Sequence, residues 1–323
     1  MSIIEDAARR LEELRRAGAE LPEVPRVDPG EVARREVDHP TPEAMIKAIE
    51  QAGGFESPLA DPARRATRMP PADALPAGTG ASVELNLARL RANGFVTPDA
   101  PTSRIADEYR VIKRPIIKNA LGRGDERVRH GNLVMVTSSL PGEGKTFTSI
   151  NLAMSIAMEY DTRVLLVDGD VAHPSMPATL GTPNSPGLLD LLTRDDIQLS
   201  DALLRSNVER LTLLPAGSRQ RRSTELLASE QMASLLRELA SRYADRIIVF
   251  DSPPLLATTE ARVLATHMGQ IVMVVAADAT SHHAVNQALA TIESCDIVLM
   301  LLNKARQTDV GTYYGYYGNE DAA

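Results

Sequence analysis

Leu133-Val134-Met135-Val136-Thr137-Ser138-Ser139-Leu140-Pro141-Gly142-Glu143-Gly144-Lys145-Thr146 is the stretch whose reading decides the fold of this chain. An apolar run ends in a glycine-bearing turn, and a helical pattern through Ile150, Ala153, Met154 and Ala157 follows. Buried strand, turn and helix in that order are the setting a phosphate-binding loop requires. Gly142 and Gly144 let the backbone curl so that successive N–H groups face one anion. The helix N-terminus adds its partial positive charge. Lys145 is placed to reach β- and γ-phosphates, and the Thr146 hydroxyl to ligate Mg²⁺. The pattern G-x-x-x-x-G-K-[ST] has one departure, Ser139 in place of the first glycine. The residues expected around a nucleotide are Ser139, Pro141, Gly142, Glu143, Gly144, Lys145, Thr146 and Phe147.

Outward from the loop, apolar runs recur at Val164–Val167, Leu211–Leu214, Ile247–Phe250, Ile271–Val275 and Ile297–Leu302. They are continuous, not alternating, as for parallel strands covered on both faces. Helical patterns such as Leu226 to Leu239 fill the spacers. The expectation is a doubly wound α/β domain with a mostly parallel sheet over residues 131–305.

Such sheets place ligands at the carboxyl ends of their strands. Asp168 ends one apolar run, with Asp170 two residues beyond, and Asp251 ends another. A carboxylate there holds Mg²⁺ directly or through water, the usual complement of a phosphate loop. Asp170 is a candidate base for an incoming hydroxyl. The segment Gly311-Thr312-Tyr313-Tyr314-Gly315-Tyr316-Tyr317-Gly318 supplies a candidate acceptor. Four of the chain's seven tyrosines fall there, in a sequence only 3% aromatic.

The remaining composition narrows the class. The 323 residues suffice for one sizeable α/β domain with appendages, and 43% hydrophobic content is ordinary. A net charge of −8 argues against a general nucleic-acid binder. One cysteine, Cys295, permits no intrachain disulfide and reads as a buried, inert thiol. No basic-then-apolar leader and no apolar run near 18 residues is present, so a cytoplasmic location is expected.

N-terminal to the domain, residues 1–20 read as an amphipathic helix with a Ser2/Glu5 capping box. Residues 21–80 read as a proline-rich linker, since twelve of the 21 prolines precede Ser103. Residues 81–130 read as helical: a short helix through Val83, Leu87 and Leu90, then one from Ile105, which passes Pro115 only with a kink. On the second, Asp107, Arg110 and Lys113 alternate in sign at three-residue spacing and read as a solvated strip or a contact with a neighbour. Residues 306–323 form the tyrosine-rich tail. Arg219, Arg221 and Arg222 read as a solvated loop, and the adjacent His282 and His283 as surface residues.

The phosphate loop, the Asp168/Asp170 pair, Asp251 and the tyrosine tail together resemble the bacterial tyrosine autokinases of polysaccharide export. The likeness is greatest to the group from exosortase-linked exopolysaccharide loci, and runs from about Val83 to Tyr317. Leu214-Pro215-Ala216-Gly217, Glu225-Leu226-Leu227 and Asp251-Ser252-Pro253-Pro254 are further matching pieces. The resemblance implies a P-loop NTPase of the deviant-Walker ATPase-like type using ATP and Mg²⁺. Lys145 and Thr146 would hold phosphates and metal, Asp168 and Asp251 would organise the metal, and Asp170 would be the base. Tyr313, Tyr314, Tyr316 and Tyr317 would be phosphorylated by a neighbouring subunit. Asn303 sits where related ATPases contact adenine. Asp107, Arg110 and Lys113 fall on a family Glu-x-x-Arg-x-x-Arg helix that helps build a ring. Here a shorter acid and a lysine weaken that motif. Val171-Ala172-His173 follows Asp170 where the family has an arginine, so that residue's role does not carry over. The implied partners are a membrane chain-length regulator of the polysaccharide co-polymerase kind as activator, other copies of the chain, and a tyrosine phosphatase. They would place the protein at the inner membrane through a partner.

Two other functions fit the fold. A partner-switch ATPase that positions plasmids or division sites would carry an extra lysine early in the loop, where Leu140 stands. A nucleotide-loaded scaffold for a membrane regulator would bind ATP and leave the tyrosines unmodified.

Overall fold

A computed structural model describes residues 81–122, 128–243 and 245–305. The expected N-terminal helix, the proline-rich linker and the tyrosine cluster lie outside the described residues.

In chain order the elements are β1 (Ser82–Val83), α1 (Leu87–Ala92), α2 (Arg104–Leu121), β2 (Leu133–Ser138), α3 (Lys145–Ala157) and β3 (Arg163–Asp168). Then come α4 (Met176–Leu180), α5 (Leu188–Thr193), α6 (Leu199–Ala202), β4 (Leu204–Ser206), β5 (Leu211–Leu214) and α7 (Ser223–Leu227). The chain continues with α8 (Glu230–Arg242), β6 (Arg246–Asp251), α9 (Thr259–Ala265), β7 (Gln270–Ala276), α10 (His282–Leu289) and β8 (Val298–Asn303). The eight strands run in the order β1-β4-β5-β3-β6-β2-β7-β8. All pairings are parallel except β4 with β5.

The continuous apolar runs have the cause expected of them. Every residue of β2 and β6 is buried, because helices cover both faces of the sheet. On one face α2 and α3 pack with Val134, Val136, Val249 and Val274. On the other, side chains from α8 and α9 meet Met135, Phe250 and Met273. The α/β doubly wound, mostly parallel fold stands as expected.

Two local expectations are corrected. Val83 is in β1, pairing with Ser206 of β4, and the helix begins only after the Asn86 cap. The single helical pattern from Leu226 to Leu239 is two helices. Ser229 caps the second by accepting from Met232 N at 3.2 Å. Helix α2 continues past Pro115, the course that the sequence left open. The carbonyl that Pro115 leaves without a donor belongs to Val111, a residue 70% exposed.

The charged strip on α2 is also not what its spacing suggested. Residues three apart are 300° apart around a helix, so each step drifts by 60°. Asp107 therefore faces out while Lys113 faces in. Asp107 pairs with Arg110, which also donates to the Pro101 carbonyl. Lys113, 5% exposed, donates to the Ser155 carbonyl at 2.5 Å and pairs with Glu159 at 2.8 Å. Of the three residues expected at a subunit contact, Lys113 is thus committed to its own chain. It ties α2 to α3, the helix that begins at the phosphate loop. Lys113→Met is expected to cost about 1–3 kcal/mol, because a buried carbonyl and a carboxylate lose their donor. Urea unfolding that shows no change in midpoint would contradict this.

Asn151, on the buried polar side of α3, is held from both outside and inside the helix. Asn151 accepts from Val96 N at 2.6 Å and donates to the Phe147 carbonyl at 2.9 Å. Tyr109 of α2 lies beside Thr148 and Asn151. Burial pushes its phenol up to about 12 against their opposing pull. Residues 82–121 are therefore part of the same fold, supplying an edge strand and the helix that covers α3.

Candidate active site

The carboxyl ends of β2, β3, β6, β7 and β8 lie along one edge of the sheet. Strand register places Asp168 opposite Asp251, Val136 opposite Asp251, and Ala276 opposite Asn303. The loop between β2 and α3 sits over that edge. Its glycines do what the sequence required of them: Gly142 has φ 80° and Gly144 φ 101°. Only glycine takes those angles without strain. At Gly144 a Cβ would also lie 2.1 Å from Asn303 Nδ2.

The loop is braced by its own glutamate. Glu143, 3% exposed, accepts from Leu140 N at 2.5 Å through Oε2 and from the Thr280 hydroxyl through Oε1. The Glu143 side chain is turned into the protein, so only its backbone faces the loop's concavity. Phe147 packs its ring against Phe95, with centroids 5.0 Å apart. Ser139 is fully buried and Pro141 exposed. Asn303 Nδ2 donates to the Glu143 carbonyl at 2.8 Å, so its amide is engaged with the loop.

Asp168 and Asp251 form a buried acidic pair on adjacent strands. Neither carboxylate oxygen of Asp168 has a hydrogen-bond partner, nor does Asp251 Oδ2. Burial, and then the charges of Asp251 and Asp170, push Asp168 up to about 8. Burial pushes Asp251 up to about 6, with Thr146, Ser149 and Lys145 pulling it back. Ser149 Oγ donates to Asp251 Oδ1 at 3.0 Å, while the Thr146 hydroxyl is 2.9 Å from Ser175 Oγ. Three orphaned, buried carboxylate oxygens beside a phosphate loop are a poor arrangement for a bare protein and a good one for a divalent cation. The donor set fits Mg²⁺, a hard cation taking oxygen ligands.

Asp170 is half-buried at the start of the next loop, where its Oδ1 accepts from His173 N at 3.1 Å. Burial raises its pKa, and His173 N–H and the Lys145 charge oppose the shift. Lys145 thus acts electrostatically on both Asp170 and Asp251. Arg219 reaches the same loop, donating to the Ala172 carbonyl at 2.5 Å. The Leu214–Gly217 piece is a brace: Leu188 N and Leu189 N donate to the carbonyls of Pro215 and Ala216 at 2.8 and 2.9 Å. Asp190, 2% exposed, accepts from Gly187 N and Ser218 N, both at 2.9 Å. His282 and His283 are exposed at the start of α10, and Cys295 is buried.

Sequence reading missed Ser149, Ser175 and Lys304. Ser149 had a readable signal, three residues past Thr146 on one helix. Ser175 had none, because only the fold brings it to Thr146.

Residues 132–302 match the AAA domain family, AAA_31. The tyrosine-protein kinase YwqD of Bacillus subtilis is 29% identical over 222 residues, covering 68% of this chain and 90% of its own. The tyrosine-protein kinase CpsD of Streptococcus agalactiae is 29% identical over 198 residues, 60% of this chain and 84% of that one. Among solved structures, the chimerical protein CapA2B2 is similar with a TM-score of 0.55 and 25% identity. It covers 68% of this chain and 93% of its own.

Proposed function

The chain belongs to the AAA domain family AAA_31, and from that premise we propose that it is an ATP- and Mg²⁺-dependent protein-tyrosine autokinase of exopolysaccharide export. Its homologues are tyrosine-protein kinases, at about 29% identity over most of the chain. The observation that carries the proposal is the buried carboxylate pair Asp168 and Asp251, three of whose four oxygens have no hydrogen-bond partner, beside a braced phosphate loop.

In this reading the loop N–H groups from Gly142 to Thr146 and the Lys145 ammonium hold the β- and γ-phosphates. Thr146, Asp168 and Asp251 hold Mg²⁺, which supplies charge neutralisation on the phosphate oxygens. Asp170 takes the proton of an incoming tyrosine hydroxyl. The phenolic oxygen then bonds to the γ-phosphorus as the bond to the β-bridging oxygen breaks, releasing ADP. A phosphoryl transition state is loose, so positioning and electrostatic stabilisation supply most of the rate.

The acceptors are Tyr313, Tyr314, Tyr316 and Tyr317 of a neighbouring copy. Residues 131–305 form the kinase domain, with 82–121 built into it as an edge strand and covering helix, and 306–323 the acceptor tail, after a proposed helix of residues 1–20 and linker of 21–80. Asp107 and Arg110, both exposed enough to reach out, remain candidates for the contact between copies. No helix among the described residues is long and apolar enough to cross a membrane. We place the chain at the inner membrane through a chain-length regulator that activates it, within the exosortase-linked group, with a tyrosine phosphatase reversing the modification.

Incubation with Mg-ATP and mass spectrometry of the C-terminal peptide tests this. Phosphate on Tyr313 to Tyr317 is expected, with none on a variant carrying Phe at all four positions. ADP release from the wild type with an unmodified tail would instead mean a switch ATPase.

A further inference from the structure

We propose that Asn303 and Lys304 are positioning residues that aim the N–H donors of the phosphate loop. The inference rests on the nucleotide-binding reading of the site and deepens it.

Lys304 Nζ donates to the Gly142 carbonyl at 2.7 Å, and Asn303 Nδ2 to the Glu143 carbonyl at 2.8 Å. These are consecutive peptide units. In a planar trans peptide the C=O and the N–H point in opposite directions. Fixing the Gly142 carbonyl therefore fixes the Glu143 N–H, and fixing the Glu143 carbonyl fixes the Gly144 N–H. Each side-chain donor, pulling from behind, turns one loop N–H toward the loop's concave side. Those N–H groups are the ones a phosphate must meet, so part of the ordering cost is met before any anion arrives.

The end of β8 is itself held where this requires. Asn303 closes the strand opposite Ala276, and its carbonyl accepts from Ala277 N at 2.8 Å. Lys304 then takes φ 59°, a left-handed angle unusual for a non-glycine residue. Backbone in such a conformation persists where its surroundings over-determine it and marks a site worth a functional hypothesis. Gly144 has no Cβ where Asn303 Nδ2 lies, so loop and amide are fitted to each other. Glu143 braces the same loop through Thr280 and Ala276 N, beside Asn303.

A base contact and a phosphate-loop brace separate by ligand. Calorimetric titration would compare Mg-ADP with Mg-pyrophosphate, which has the phosphates and no base. Lys304→Met and Asn303→Ala are each expected to weaken both ligands by the same factor, about tenfold for one lost oriented donor. Lys304→Arg, which restores a cationic donor, is expected to stay within about threefold of the wild type. Lys304 is exposed, so its replacement leaves the fold intact, and an unchanged melting temperature checks that. Weakened ADP with unchanged pyrophosphate would overturn the proposal in favour of base recognition. Unchanged affinity for both ligands would also overturn it. A wild-type protein that holds neither ligand would overturn the nucleotide reading itself.

Discussion

Lys145→Met is expected to lower tyrosine phosphorylation by about 10³-fold or more while the melting temperature stays within a degree or so of the wild type. Lys145 is the first residue of α3, directly after the φ 101° turn of Gly144, and half-buried. Its ammonium makes no hydrogen bond among the described residues, so methionine, of similar length, leaves no protein partner stranded. Removing one preorganised charge from a developing phosphoryl transition state costs about 10²–10³-fold in related chemistry. Here the same charge also holds down the pKa values of Asp251 and Asp170. Losing it makes the metal carboxylate and the base both harder to ionise, which pushes the expected effect to the upper end. Quantitative mass spectrometry of the tail, beside a thermal unfolding curve, measures both. Labelling above about a tenth of the wild-type level at an unchanged melting temperature would remove Lys145 from the reaction.

The sequence signal was strongest where chemistry and periodicity agree. Six apolar runs matched β2, β3, β5, β6, β7 and β8 within a residue or two; for all but β8, at the sheet margin with Met300 and Leu302 exposed, the cause is that a strand buried on both faces needs continuous apolar side chains. The short strands β1 and β4 carry no such run. They pair with each other at the sheet margin, and only the fold makes Ser82 and Arg205 neighbours. Lys113 misled for a related reason. Charge spacing along α2 suggested a strip, whereas burial is decided by the helix packed against it, whose Ser155 carbonyl and Glu159 await a cation. Asn303 was legible as a strand-end residue of the site, but its direction was not. That its amide nitrogen meets a loop carbonyl depends on a turn 160 residues away in sequence. In each case local pattern located the residue, and tertiary contact chose its partner.

Asp168→Asn is expected to do two opposite things: end phosphorylation and stabilise the metal-free protein. The carboxyl is fully buried, both oxygens lack partners, and Asp251 and Asp170 add like charge beside it. Such a group contributes nothing favourable to the bare fold. Its burial is a cost, which appears as a pKa pushed up to about 8. An amide of nearly the same shape has no charge to desolvate, so about 1–3 kcal/mol should return. For a domain of this size that is a rise of roughly 3–8 °C in melting temperature, read in EDTA. With Mg-ADP present the order should invert. The wild type gains stability in proportion to the logarithm of ligand saturation, and the variant, one metal ligand short, gains much less. Phosphorylation should fall by about 10³-fold, since the cation that neutralises the transferring group loses an anionic anchor. A variant less stable than the wild type in EDTA, yet equally stabilised by Mg-ADP, would show that Asp168 holds the fold and not the metal. The expected pattern, stability gained and function lost at one position, is the mark of a residue kept for its chemistry.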